Sequence, residues 1–214
     1  MTFSVLAARV VIGAAALAVA ALAALHVLKP DVHPSRTMIS QYALGSHGWV
    51  MALSFAAFGA ASAALCAALW TVPTAPMRSV LGGVGMVLLL VAAVGLAMAG
   101  RFPMDPVSTP SAQMSLSGRM HGVAFLIGVP SQTLGVLLLS LALRNERSRA
   151  ALPLLSLTAT IWVSLGIMIA IMWIVGPGKT PDPNGPERFL GWPNRLFMIA
   201  YGAWLIVMAW PIAH

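Results

Sequence analysis

The side chains best suited to acid–base chemistry lie around one segment of the sequence. Asp105 follows Arg101-Phe-Pro-Met, and His121 follows Ser117-Gly-Arg-Met. Ser117 is a suitable N-cap, which would place His121 in the first turn of a helix, where the helix dipole favours the neutral imidazole. A neutral imidazole can accept a proton or bind a metal, and Asp105 could fold back to orient it or to share the metal. The alternative is a hydrogen-bonded histidine with a structural role.

Arginines in the polar segments indicate a second chemistry, the binding of an anion. Arg195 follows Gly191-Trp-Pro-Asn, and Pro193 suits the first position of a helix, so Arg195 is expected near a helix start. A guanidinium keeps its charge and attracts a carboxylate or a phosphate. Asp105 or Glu187 could provide the carboxylate, and a lipid head group could provide the phosphate. The anion site predicted on this basis consists of the arginines Arg36, Arg101, Arg119 and Arg195.

A third segment, Lys29–Trp49, carries hydroxyl and aromatic groups. Its prolines and glycines exclude one long helix, but apolar residues recur at helical spacing within Ser35–Leu44, at Met38, Ile39, Tyr42 and Ala43. This pattern predicts a short amphipathic turn that lies at a membrane interface as a lid. The turn presents Ser40 as a candidate nucleophile or hydrogen-bond donor, and Tyr42 as a ligand-binding aromatic residue. Tyr42 and Trp49 are also typical of plain interfacial anchors.

Long apolar stretches separate these polar segments. The chain is 59% hydrophobic and 8% charged, whereas about one-quarter of the residues in soluble domains are charged. A helix needs about 20 apolar residues to cross a bilayer. Six segments meet this requirement, at Val5–Leu28, Gly48–Thr71, Ser79–Gly100, Arg119–Leu143, Leu152–Val175 and Leu196–Ile212. We therefore predict an all-α polytopic membrane protein, with six transmembrane helices in one bundle and residues 1–214 as a single domain.

Two spans have features of their own. The apolar run from Val10 to Leu25 exceeds the core of about 7 to 15 residues in a signal peptide, so the first span is expected to be a retained helix. In the fourth span, Pro130 predicts a kink near the bilayer midplane. Gln132 then either belongs to a hydrogen-bonded kink or forms the polar floor of a cavity. The lone cysteine, Cys66, excludes an intramolecular disulfide.

The distribution of basic residues predicts the topology. Six spans place both termini on one side, together with the densest basic cluster, Arg144-Asn-Glu-Arg-Ser-Arg149. A plain count of Lys and Arg is slightly higher on the opposite face, but the positive-inside rule gives most weight to short loops near helix ends. We therefore expect an integral protein of a prokaryotic plasma membrane with both termini in the cytoplasm and the three polar segments outside.

Four short motifs connect this chain with a family. Ile39-Ser-Gln-Tyr42, Gly48-Trp49, Phe102-Pro-Met-Asp105 and Gly118-Arg-Met-His121, in this order, resemble the prokaryotic membrane-protein family labelled domain of unknown function 998. The resemblance covers nearly the whole chain. It implies a six-helix membrane domain without an activity that can be carried over, and it selects Ser40, Asp105 and His121 as matches to the polar pattern of the family.

Two functions from different classes are expected. The first is non-enzymatic: the protein binds or handles a membrane lipid or another amphipathic ligand, whose anionic head group is held by the arginines and framed by Trp49, Tyr42 and Trp192. The second is a membrane-embedded lipid hydrolase or transferase, with His121 as general base, Asp105 as its orienter and Ser40 as nucleophile. No Gly-x-Ser-x-Gly elbow supports the second function.

Other partners are less well supported by the residues. Haem or metal binding would use the histidines expected on one face, His26, His33, His47 and His121. However, no predicted helix carries paired histidines at helical spacing, as two-haem membrane cytochromes do. The sequence identifies no cofactor, and nucleic acid is not an expected partner.

Overall fold

The computed structural model of the protein describes residues 1–72, 78–144, 150–175 and 185–214, except for the side chain of Glu187. It contains six long helices: α1 (Phe3–Leu28), α2 (Gly48–Thr71), α3 (Val80–Arg101), α4 (Leu116–Leu143), α5 (Ala151–Val175) and α6 (Gly191–Ala213). Each is long and apolar enough to cross a membrane. The described residues form no strand, so the prediction of an all-α protein with six membrane-length helices is confirmed.

The largest differences from the predicted bounds are at the starts of α4 and α6. The N-cap of α4 is Ser115 rather than Ser117, because the Ser115 hydroxyl accepts a hydrogen bond from the Gly118 N–H at 3.0 Å. His121 therefore lies in the second turn of α4. Helix α6 begins at Gly191, which makes Pro193 its third residue. Proline is still tolerated there, because the first four N–H groups of a helix have no partner within it.

The helices form a closed ring in chain order. Each helix packs against the next, and α6 packs against α1. Of these neighbouring pairs, α4 and α5 make the least extensive contact. We call the end of the ring at which α1, α3 and α5 finish the loop face, because the polar segments predicted from the sequence connect helices there.

Glycines allow close approach between α3 and α4. A Cβ atom on Gly95 would lie 2.7 Å from the Gly128 Cα, and one on Gly135 would lie 3.1 Å from the Gly85 carbonyl oxygen. Small residues have this function in membrane bundles, where packing replaces the hydrophobic effect between helices. His121 lies on α4 of this closely packed pair.

Hydrogen bonds between side chains tie the interior together near the opposite end. The Trp204 indole N–H donates to the Ser140 hydroxyl at 2.8 Å, and Ser140 lies 2.8 Å from the Thr158 hydroxyl. Separately, the Tyr201 and Ser62 hydroxyls are 2.5 Å apart. These contacts link α6 to α2, α4 and α5, and they satisfy polar groups that no water reaches in a bilayer.

The segment between α1 and α2 folds over the loop face. Residues Ile39–Ala43 form a 3-10 helix, with Ile39 and Tyr42 buried. This confirms the predicted short helical turn, and we call residues 38–43 the lid. The chain then turns into α2 through Gly45 and His47, which have φ angles of 70° and 60°. Gly48 follows, where a Cβ atom would lie 2.3 Å from the Ala43 carbonyl oxygen.

Candidate functional site

Arg195 is buried at the loop face, with only 3% of its surface exposed. Its Nε donates to His26 Nε2 at 2.8 Å, and its Nη2 donates to the Tyr42 hydroxyl at 3.0 Å. Its Nη1 donates to the carbonyls of Thr37 and Gly191, at 2.8 and 3.1 Å. Four of the five guanidinium N–H groups are thus used. In the described part of the chain every acceptor is uncharged. The alternative pairing with Asp105 is therefore not formed, and the side chain of Glu187, the other carboxylate considered, lies outside the described residues.

His26 is held by hydrogen bonds at both ring nitrogens. Its Nδ1 lies 2.9 Å from the Leu22 carbonyl oxygen, and its Nε2 faces Arg195. Arginine can only donate, so His26 Nε2 accepts and the ring proton is on Nδ1. A haem iron or a metal would have to displace one of these partners. Groups of three or more metal-ligating side chains are absent from the ranges that the structure describes.

Lys29 is a second buried cation beside Tyr42. It is 4% exposed, and its ammonium group donates to the backbone carbonyls of Tyr42, at 3.2 Å, and of Leu44. The Tyr42 ring also packs against His26, with ring centroids 5.3 Å apart. We call His26, Lys29, Tyr42 and Arg195 the cationic cluster. Burial of Lys29 is not predictable from the sequence, because a lysine just after a span usually extends to the membrane surface.

A groove runs down the outside of the ring below the cationic cluster. It lies between α1 and α5, with α6 as its floor, and has a volume of about 950 Å³. Arg195 and His26 line its loop-face end, and its walls are mainly apolar, with Leu22, Val163 and Ile199 among them. Ser164 also lines the groove, and its buried hydroxyl has no hydrogen-bond partner in the described residues.

A separate cavity of about 70 Å³ lies inside the ring beneath the lid. Ile39 and Ser40 of the lid line it, together with His121 and Gln132 of α4 and Asn194 of α6. The Asn194 side-chain oxygen accepts a hydrogen bond from the Ile39 N–H at 2.7 Å. The structure therefore gives Gln132 the position of a cavity floor, which is one of the two roles expected for it.

Asp105 does not orient His121. The His121 Nδ1 lies 2.9 Å from the Phe102 carbonyl oxygen. The two Asp105 carboxylate oxygens accept hydrogen bonds from the Ser115 N–H and hydroxyl, at 2.8 and 2.7 Å. The reason is local: Asp105 lies beside the start of α4, where free backbone N–H groups attract an anion. The predicted Ser40–His121–Asp105 arrangement is thus reduced to Ser40 and His121, which line one cavity.

The predicted anion site of several arginines is not assembled. Arg36, Arg101 and Arg119 are exposed, and none of them is a hydrogen-bond partner of the cationic cluster. Arg119 donates to the Met114 carbonyl at 3.2 Å, and Arg101 lies over the Phe102 ring. Of the predicted ligand-binding residues, the structure brings Tyr42 into hydrogen-bonding contact with Arg195, and Trp192 lines the same groove as Arg195. Trp49 is 68% exposed.

Asn194 is a site residue that the sequence analysis missed. It precedes Arg195 in α6, and consecutive helical residues point in different directions, so Asn194 faces the cavity while Arg195 faces the groove. Both hold the segment between α1 and α2 from below. The Gly191 N–H adds a third bond, to the Ser35 carbonyl oxygen at 2.7 Å. The available signal was the position of Asn194 beside an arginine at a helix start.

A closed ring of six membrane-length helices, with a buried polar cluster at one end, defines a multi-pass helical membrane protein. Residues 12–211 match the family model described as Protein of unknown function (DUF998), so the chain belongs to that family. This confirms the resemblance found in the short motifs. No curated protein and no solved structure is detectably similar to the chain.

Proposed function

We propose that this protein binds a membrane lipid with an anionic head group in the groove between α1 and α5. The observation that carries the proposal is the position of Arg195 at one end of an apolar groove of about 950 Å³. Arg195 is a buried cation whose partners among the described residues are all uncharged. The head group would lie beside Arg195, and an acyl chain would extend along Ile199 and Val163.

The place of the groove on the outside of the ring favours a lipid as its ligand. Its walls belong to three helices that are apolar enough to cross a membrane, and hydrocarbon is the surrounding solvent at that depth. Its volume falls within the range of about 300 to 1,000 Å³ that is usual for small-molecule sites. A lipid matches both the cationic end and the apolar walls of the groove, because its polar head group and its acyl chains are at separate ends of the molecule.

The charge of the cationic cluster favours an anionic head group. Arg195 and Lys29 are both buried, and in the described residues both donate only to neutral acceptors. Among the described residues, no carboxylate neutralises these two positive charges. One N–H of Arg195 has no acceptor among the described residues and could bind a ligand. Charge-assisted bonds to phosphate are about twice as strong as neutral ones.

The proposal includes an orientation. We place the termini in the cytoplasm of a prokaryotic cell and the loop face outside, so the groove would take its lipid from the outer leaflet. The basic cluster at 144–149 supports this topology, although residues 145–149 lie outside the described part of the chain. Green fluorescent protein fused after His214 should fluoresce, and alkaline phosphatase fused there should be inactive. The reverse pattern would contradict the orientation.

Lipid selectivity tests the binding site. Protein purified in detergent with equal amounts of phosphatidylglycerol and phosphatidylcholine should retain mainly phosphatidylglycerol in native mass spectrometry. Arg195→Gln should reduce this preference about tenfold, because one charge-assisted bond is lost. Arg119→Gln, at an exposed arginine of the same face, is the matched control and should keep it.

A second variant separates loss of binding from loss of folding. Ile199 lines the groove away from the cationic cluster and is 47% exposed. Ile199→Trp should therefore leave the fold intact while its larger side chain fills the groove and reduces retention of both lipids. Equal retention by the wild type, Arg195→Gln and Ile199→Trp would contradict the proposed site.

A further inference from the structure

We propose that the cavity beneath the lid is a second binding site, which takes a small uncharged molecule with a hydroxyl group. This site lies inside the ring and is separate from the groove. Asn194 lines the cavity and Arg195 lines the groove, so α6 stands between the two. The inference does not depend on lipid binding in the groove.

Gln132 provides an unused hydrogen-bond donor. Its side chain is 2% exposed and lines the cavity, and its Nε2 has no hydrogen-bond partner in the described residues. A buried amide without a partner costs about 1 to 3 kcal/mol. The group therefore indicates an acceptor atom in the cavity that the protein itself does not supply.

His121 provides an acceptor in the same cavity. Its Nδ1 is hydrogen-bonded to the Phe102 carbonyl oxygen, and a carbonyl can only accept, so the ring proton is on Nδ1. In the neutral ring, Nε2 then carries a free electron pair. His121 and Gln132 are 11 residues apart in α4, which is about 16 Å along a helix, so one small ligand does not reach both side chains. The hydroxyl oxygen of the ligand accepts from Gln132 alone.

The remaining walls define the rest of the ligand. Among the described residues no Asp, Glu, Lys or Arg lines the cavity, and apolar side chains such as Phe55, Leu96 and Phe197 form most of it. An ion would be unpaired there, at a high desolvation cost, so the ligand is uncharged and its alkyl part contacts the apolar walls. A volume of about 70 Å³ is smaller than a cavity of ~150 Å³ that holds benzene. It fits a short-chain alcohol.

Methionine methyl groups report on the cavity. Met38, Met168 and Met198 line it, whereas Met86 and Met208 are buried elsewhere in the ring. In ¹³C-methyl-methionine NMR of the protein in detergent, 2-propanol should shift the signals of Met38, Met168 and Met198 along saturable curves. The signals of Met86 and Met208 serve as controls for alcohol that merely partitions into the detergent.

Replacement of Gln132 tests the polar contact. Gln132→Leu should weaken 2-propanol binding about tenfold, because one hydrogen bond is lost at similar volume, whereas xenon binding should be kept or become tighter. Gln132→Met is a second variant that preserves the side-chain length. Unsaturable shifts at all methionines, absence of any shift at Met38, Met168 and Met198, or equal 2-propanol affinity in wild type and variants would each overturn the inference.

Discussion

Two histidines at the loop face show how different surroundings give the same side chain different roles. In both, Nδ1 is hydrogen-bonded to a backbone carbonyl oxygen at 2.9 Å. His26 Nε2 then accepts a hydrogen bond from Arg195, whereas His121 lines the cavity beneath the lid. The α1–α6 side therefore has a charged cluster with nearly all of its hydrogen bonds made. The α3–α4 side has uncharged groups with bonding capacity left for a ligand.

Of the substitutions that test this difference, removal of the buried cation Arg195 should lower stability most. Arg195→Met leaves the acceptors on His26 and Thr37 without their donor. We expect the free energy of unfolding to fall by about 1 to 3 kcal/mol for each buried acceptor left unpaired, measured by denaturant unfolding in detergent. Arg119→Met, at an exposed arginine of the α3–α4 side, should change it little. Equal losses in both variants would remove the distinction between the two sides.

Glycine substitutions should have the second-largest effect on stability, and the loss should differ between the two sides. A Cβ atom would lie 2.1 Å from the Pro34 carbonyl oxygen at Gly191, and 2.1 Å from an Asp105 carboxylate oxygen at Gly118. Backbone is harder to displace than the end of a side chain, so Gly191→Ala should cost more stability, about 2 kcal/mol or more, than Gly118→Ala.

Gly122→Ala is the control for both glycine variants. Nothing lies within 4 Å of a Cβ atom there, and alanine favours a helix by up to about 1 kcal/mol over glycine. Thermal unfolding of the three variants should give midpoints in the order Gly122→Ala, Gly118→Ala, Gly191→Ala, from highest to lowest. A lower midpoint for Gly118→Ala than for Gly191→Ala would mean that the α3–α4 side is the more rigid one.

A substitution of Asp105 tests whether this residue stabilises the start of α4 or orients His121. Its carboxylate binds Ser115 at the start of α4, and His121 is held by Phe102 instead. Asp105→Ala should therefore lower stability by about 1 kcal/mol, as loss of a helix cap does, and leave the ¹⁵N NMR signals of the His121 ring unchanged. A tautomer change at His121 would restore Asp105 as its orienter.

The smallest change in stability is expected from a substitution in the groove, at Ser164. The Ser164 hydroxyl is buried without a hydrogen-bond partner in the described residues, so Ser164→Ala removes a group that makes no bond. Stability should stay the same or rise by about 1 kcal/mol. Thr158→Ala on the same helix is the matched control, because its hydroxyl lies 2.8 Å from the Ser140 hydroxyl, and it should lose stability. A loss in Ser164→Ala as large as that in Thr158→Ala would show that Ser164 has a partner.

Several features could be predicted from the sequence because their causes are local. The length of the apolar segments must match the bilayer, so the helices appear where hydropathy predicts them. For α2 the predicted and the observed bounds are both Gly48–Thr71. The lid could be predicted because the spacing of Ile39 and Tyr42 matches one helical turn. Proximity along the chain also suggested that Asp105 would approach His121. That expectation was wrong, because the start of α4 offers Asp105 closer donors.

By itself, the sequence determined the class of protein, the six spans and the segments that carry polar groups. Only the tertiary structure decided which of these groups meet. Arg195 and His26 are 169 residues apart in the chain, and Asn194 and Ile39 are 155 apart. These contacts exist because the ring closes where α6 packs against α1. Hydropathy contains no information on that closure, since the bilayer treats all apolar helix faces alike, and steric fit and hydrogen bonding between distant residues select the neighbours.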